Sequence, residues 1–115
     1  MCGTSRLITG YFGTEFDGVD AVDLKDELLP LLEDRLVLVF RNQSMSPSDQ
    51  VALARLLGEP TPAHPVVPGH PDHPEILELD AQKGGKNARW HTDVTFVATP
   101  PAASVLVADH VPAWG

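Results

Sequence analysis

Between Pro60 and Pro74 the chain places six prolines in a run of fifteen residues, and this density limits the fold more than any other feature. A proline inside a helix removes a hydrogen bond and clashes with the preceding turn. In a central strand it takes a donor out of the ladder. The segment is therefore a loop, partly extended, and it also carries His64, His70, His73 and Gly69. Regular elements have to be found on either side of it.

Upstream, Arg6-Leu7-Ile8-Thr9 reads as a short strand, followed by a turn-prone stretch with Gly10, Gly13 and Gly18. From Ala21 to Arg35 the apolar residues Val22, Leu24, Leu28, Leu29, Leu31 and Leu32 recur at mostly helical spacing, with charged residues between them. An amphipathic helix with a kink or break at Pro30 is expected. Leu36 to Phe40 is apolar on both alternations and rich in β-branched residues, which suits a strand buried on both faces. The clearest helix start follows. Ser46 can cap, Pro47 fits the first helical position, and Asp49 sits where a capping-box acid belongs. Val51, Leu53, Ala54 and Leu57 form its apolar face, and Gly58 is a natural stop.

Downstream, Glu75 to Asp80 has strand character with imperfect alternation, and Ala81 to Arg89 reads as a flexible loop containing Lys83-Gly84-Gly85-Lys86. Trp90 to Val97 and Ala103 to Asp109 read as two further strands separated by Pro100-Pro101. No internal repeat or second domain boundary is visible. An apolar strand such as Ser104-Val105-Leu106-Val107 has an edge that needs covering, so the pattern itself suggests an incomplete domain.

Composition narrows the partners. Hydrophobic residues make up 43% and charged residues 21%, ordinary values for a globular chain. The formal net charge of −8 argues against nucleic acid and against an anionic membrane surface as partners. Cys2 is the only cysteine, so no intrachain disulfide can form, which fits a cytoplasmic location. The first ten residues do not resemble a signal peptide, and Leu36 to Phe40 is far too short to span a bilayer.

The densest chemical signal is Trp90-His91-Thr92-Asp93-Val94-Thr95-Phe96. In a strand, residues two apart point to the same side, so His91 and Asp93 would project together. An imidazole and a carboxylate so placed can share one metal ion, and two histidines with one carboxylate form the facial triad of non-haem iron(II) oxygenases. A bare His-x-Asp is weak evidence, because the same tripeptide is often a surface histidine beside a solvated acid.

Its surroundings are more specific. Asn87 to Phe96 followed by Thr99-Pro100-Pro101-Ala102 closely resembles the metal-binding stretch of the taurine dioxygenase (TauD/TfdA) family. Val111-Pro112-Ala113-Trp114-Gly115, Leu36 to Gln43, Leu56-Leu57-Gly58-Glu59-Pro60 and His64-Pro65-Val66 continue the resemblance in order over nearly the whole chain. The resemblance implies the N-terminal part of a single dioxygenase domain over residues 1–115. It implies a mixed α/β, mainly β fold, a partial double-stranded β-helix (jelly roll) with N-terminal strands and two flanking helices. It also implies Fe(II), 2-oxoglutarate and O2 as cofactors, with His91 and Asp93 as two of three metal ligands. His64 and Asn87 match positions that hold the substrate's sulfonate. Val67 stands where the taurine enzyme has a tyrosine, and Arg89 replaces a polar residue, departures that turn the expected substrate from taurine toward a longer or more apolar alkyl sulfonate or sulfate ester. The partner is thus a small anionic organic molecule, and a homo-oligomer is compatible with the family.

By the same resemblance, the second histidine ligand and the groups that bind 2-oxoglutarate, an arginine and a threonine, are expected beyond Gly115, with His110 a solvent-exposed histidine rather than a substitute. The 115-residue chain is then expected to be inactive by itself while its parent enzyme is active. A non-catalytic remnant or interaction fragment is the rival reading, and a small zinc module the third. His70 and His73 are expected to be solvated, since the His64–His73 spacing fits no zinc pattern. Trp90 and Phe96 are expected to pack as core around the metal ligands. The 83–86 loop is open to two readings, a lid or a plain surface loop.

Overall fold

The computed structural model describes residues 3–64, 66–83 and 88–114. Among them, the strands and helices all lie within residues 4–57 and form a mixed α/β unit. Strands β1 (Thr4–Leu7) and β2 (Thr14–Asp17) form an antiparallel hairpin, with Leu7 opposite Thr14 and Thr4 opposite Asp17. The turn closes through Ile8 N–H donating to the Gly13 carbonyl at 2.9 Å. Thr9 adds the exchange that its side chain allows: its hydroxyl donates to the Phe12 carbonyl and accepts from the Phe12 N–H. The expected strand at 6–9 therefore sits two residues earlier, because Thr9 serves the turn. The glycine-rich stretch after it also contains β2, the central strand of the sheet, which the turn residues around it obscured.

Strand β3 (Leu38–Phe40) pairs parallel to β2, giving the order β1-β2-β3. A parallel pair needs a crossover, and the residues between supply it in two pieces. Ala21–Glu27 is a 3₁₀ segment and α1 (Leu28–Arg35) is an α-helix. The break falls at Lys25, at φ 47° and ψ −120°, and not at Pro30 as expected. Pro30 lies in the first turn of α1, where its missing N–H would have had no intrahelical acceptor.

Arg35 ends α1 and ties it to the hairpin. Its Nε donates to Thr14 Oγ1 at 3.0 Å, and Nη2 donates to the carbonyls of Thr9 and Gly13 at 2.9 and 3.1 Å. Helix α2 (Pro47–Leu57) starts and stops where the sequence predicts. The Ser46 hydroxyl accepts from Asp49 N–H at 3.2 Å, the Asp49 carboxylate accepts from Ser46 N–H at 2.9 Å, and Gly58 follows the last turn.

The core is small. Ala21, Leu28 and Leu53 are buried together, with Leu24, Leu38, Phe40, Met45, Leu56, Leu57 and Val105 packed around them. Phe16 and Phe40 stack across β2 and β3 with ring centroids 4.9 Å apart. Strand β3 is half-buried, and its approach residues Leu36 and Val37 are exposed. The expectation of burial on both faces is corrected here: the residues packed on the core are Leu38 and Phe40, at alternate positions of the strand.

Beyond Gly58 the expected strands do not form among the described residues. Glu75 to Asp80 contributes one isolated antiparallel bridge, Leu77 to Gly69. Residues 90–97 form bends and turns, and 103–109 join no ladder. Yet Pro101, Ala103, Val105 and Val107 are half-buried while Ala102, Ser104 and Leu106 are exposed, which is the period of a strand. Among the described residues this stretch meets the folded unit through Val105, whose side chain packs on the core and whose carbonyl accepts from Gln50 Nε2 at 3.3 Å. The alternation is present and the pairing is not, because a strand's backbone groups need a neighbouring strand that no described segment provides. The radius of gyration, 15.0 Å, exceeds the about 13 Å of a compact domain of this length. No helix among the described residues is long and apolar enough to cross a membrane.

Candidate functional site

The His91–Asp93 pair comes together without a strand to align it. His91 Nε2 and Asp93 Oδ1 are 3.2 Å apart, with side chains 47% and 66% exposed. The residue after them, Val94, has φ 52°, a conformation that costs a β-branched side chain free energy. Thr92 and Thr95 share a hydroxyl–hydroxyl hydrogen bond of 2.7 Å that closes this turn. Convergence therefore comes from a tight turn rather than from the two-residue strand repeat that the sequence suggested.

The second ring nitrogen fixes how His91 presents itself. Nδ1 lies 2.7 Å from the Arg89 carbonyl. A carbonyl can only accept, so Nδ1 carries the proton and donates it. In the neutral ring Nε2 is then a lone pair aimed at the Asp93 carboxylate, an arrangement that requires a cation or a proton between the two acceptors. Metal-binding histidines are commonly oriented by such a bond from the other nitrogen. Two adjacent positions of an octahedron with metal–ligand bonds of about 2.1 Å lie roughly 3 Å apart, so the 3.2 Å separation suits one metal edge. Among the described residues no group of three such side chains surrounds a common point. The pair has the spacing of two neighbouring ligands on one metal ion, and no third joins it among the described residues.

The substrate candidates His64 and Val67 stand together at a turn in the proline-rich loop. His64 Nδ1 accepts from the backbone N–H of Val66 at 3.1 Å and of Val67 at 2.9 Å. With Nδ1 occupied as an acceptor, the neutral ring carries its proton on Nε2 and offers a donor to solvent. Both residues are exposed. Asn87 lies outside the described residues. Two surface clefts are lined elsewhere, one by Arg6, Glu15 and Arg41 on the sheet and one by Leu29, Leu32 and Ala103 beside α1. Neither includes His64, His91 or Asp93.

Two expectations change. Trp90 and Phe96 do not pack as core: both are almost wholly exposed, since no described element lies across the turn that carries them. His70 and His73 are not freely solvated but half-buried, with ring centroids 5.7 Å apart. His73 Nε2 reaches Ser48 Oγ at 3.2 Å, and its Nδ1 lies 3.9 Å from the Glu75 carboxylate. Only the three-dimensional path of the loop could reveal the Ser48–His73 contact, because these residues share no sequence motif. His110 is exposed, as expected.

Comparison with known proteins agrees with the motif. An alkylsulfatase of Acinetobacter baylyi is 37% identical over 116 aligned residues, covering 96% of this chain and 36% of the relative. An alpha-ketoglutarate-dependent sulfate ester dioxygenase of Pseudomonas putida is 38% identical over 114 residues, covering 94% of the chain and 38% of the relative. An alpha-ketoglutarate-dependent sulfonate dioxygenase of Saccharomyces cerevisiae is 31% identical over 118 residues, covering 84% and 28%. The chain thus spans well under half the length of these relatives. Residues 4–115 match the family described as taurine catabolism dioxygenase TauD, TfdA, and the chain belongs to that family.

Proposed function

We propose that this chain is the N-terminal part of an Fe(II)- and 2-oxoglutarate-dependent dioxygenase domain that hydroxylates a small alkyl sulfate ester or sulfonate at the carbon bearing the sulfur group. The observation that carries the proposal is the His91–Asp93 pair, set 3.2 Å apart with the imidazole oriented by the Arg89 carbonyl. The names of the relatives support the substrate class: two act on sulfate esters or alkyl sulfates and one on sulfonates. The sulfate ester is favoured, because the more similar relatives carry it.

In this reading His91 Nε2 and an Asp93 oxygen hold the iron, which with 2-oxoglutarate and O2 supplies the oxidising chemistry. His64 donates its Nε2 proton to a sulfate oxygen, held in that tautomer by the two backbone N–H groups on Nδ1. Asn87 adds a second donor, and Val67 offers bulk without a hydroxyl, suited to an alkyl chain rather than to taurine's amine. Hydroxylation of the carbon next to the sulfate oxygen gives an unstable product that separates into an aldehyde and sulfate. The jelly roll, the third metal ligand and the anchor for 2-oxoglutarate are provided by residues outside these 115, and the location is cytoplasmic.

A second reading, a non-catalytic interaction segment, is favoured by the exposure of both ligands and by the lack of a third among the described residues. An anaerobic Fe(II) titration with and without 2-oxoglutarate separates the two. On the chain alone, the dioxygenase reading predicts weak metal binding that His91→Ala and Asp93→Ala each abolish, with no visible 2-oxoglutarate charge-transfer band. Metal binding indifferent to both substitutions favours the interaction segment.

A further inference from the structure

The long segment from Glu59 to Lys83 is held to the folded unit by very little. Among the described residues, its hydrogen bonds and ion pairs run within the segment itself, with one exception: His73 Nε2 to Ser48 Oγ, 3.2 Å. Both ends of that contact are firm. Ser48 belongs to the first turn of α2, locked by the Ser46–Asp49 capping box and followed by the buried Val51 and Leu53. His73 belongs to a closed sub-loop. Gly69 bridges Leu77, His70 N–H donates to the Ile76 carbonyl at 2.9 Å, and Ile76 N–H donates to the His73 carbonyl at 2.9 Å. A Cβ at Gly69 would collide with the carbonyl oxygens of Pro74 and Ile76, so this closure depends on glycine.

His73 is also gripped from its own side. Glu75 lies 3.9 Å from Nδ1, and the His70 ring stands 5.7 Å away at 40°. A carboxylate near Nδ1 favours the tautomer with the proton there, which leaves Nε2 to accept from the Ser48 hydroxyl. His64 and Val67 lie just N-terminal to this sub-loop and are exposed.

We propose that His73 is a positioning residue: by latching the 69–77 sub-loop to the first turn of α2 through Ser48, it fixes where the His64–Val67 turn is held. The fastening is independent of any reaction. That it serves substrate placement rests on the dioxygenase reading given above.

Hydrogen exchange of the chain, followed by mass spectrometry, tests the latch directly. Ser48→Ala and His73→Ala are each expected to speed exchange in residues 59–77 about fivefold, the worth of one net hydrogen bond, while α2 amides near Val51 and Leu53 stay as protected as before. Ser48→Thr, which keeps the hydroxyl, should restore wild-type exchange, and the double alanine variant should exchange no faster than either single one. Unchanged exchange in Ser48→Ala overturns the latch, as do additive effects in the double variant. Binding of hexyl sulfate to the same variants, by NMR of the histidine ring protons, reads the second part. If His64→Ala weakens binding and Ser48→Ala does not, positioning is overturned. If His64→Ala itself has no effect, the substrate reading fails while the exchange data still decide the latch.

Discussion

Residues 3–58 and residues 59–114 have similar apolar content, yet among the described residues only the first half folds into regular elements. The difference lies in where each half finds partners for its backbone. Helices α1 and α2 satisfy their N–H and C=O groups within themselves, and the hairpin closes through a local turn. The one non-local pairing, β2 with β3, is bridged by the helical crossover between them. Outside its loops the second half is written as strands, and a strand supplies nothing to its own backbone. Pro101 to Val107 keeps the alternating burial of a strand while pairing with nothing described, and Trp90, Phe96 and Leu106 remain exposed. Pattern alone sets which way side chains point; only a neighbour turns that into a sheet.

The sharpest way to break this comparison is to truncate large side chains in each half. Leu53→Ala should cost about 2–5 kcal/mol of stability, since it empties part of a core with few buried members. Phe96→Ala and Trp90→Ala should change stability by less than about 0.5 kcal/mol, as exposed residues do. Urea unfolding followed by far-UV circular dichroism reads all three. A large loss in Phe96→Ala would mean the second half is covered in solution and the contrast is false.

Next in size is Arg35→Met, which keeps the apolar stem and removes the donors to Thr14, Thr9 and Gly13. A loss of about 1–3 kcal/mol is expected, together with faster amide exchange in the β1–β2 hairpin than in α2. Uniform loosening would show that the first half behaves as one cooperative piece with no separate hairpin seam. Ser46→Ala should follow with about 1 kcal/mol, the usual worth of an N-cap.

The smallest effect is the response to acid, and it too should be confined to the first half. Hydrogen bonds from Arg41 and then Arg6 hold the Glu15 carboxyl below the ordinary glutamate range. The backbone N–H and then the hydroxyl of Ser46 do the same for Asp49. Both folded-state values lie below the unfolded ones, so their stabilisation is present in full above the unfolded values near about pH 4. It is lost as pH falls through the folded values. Asp49→Asn should flatten part of the decline of the urea midpoint with falling pH, with exchange in α2 reporting the change. A decline that is as steep in Asp49→Asn and in Glu15→Gln would place the acid sensitivity elsewhere.

Of the candidate site, the part legible in the sequence was chemical identity. The Trp-His-Thr-Asp-Val-Thr-Phe run and its flanks identified the family, and His91 and Asp93 do stand together. What brings them together was not legible: a turn with Val94 at positive φ and a Thr92–Thr95 bond replaces the expected strand. Nor was the docking of His73 on Ser48, which joins residues with no shared pattern.

The sequence by itself determined the elements whose forces are local. The capping box of α2, its glycine stop and the proline-rich loop all depend on neighbours a few residues away, and each appears where the residues demand it. Tertiary structure decided which strand-like segments find a partner. It drew β2 out of a glycine-rich stretch because β3 came back alongside it, and it broke the first helical run at Lys25 so that Leu28 and Ala21 could share a core with Leu53. It left 90–97 and 103–109 outside any strand ladder among the described residues. The physical reason is the same in each case. A helix completes its hydrogen bonds within one segment, whereas a strand completes them only through a partner whose arrival no local sequence can announce.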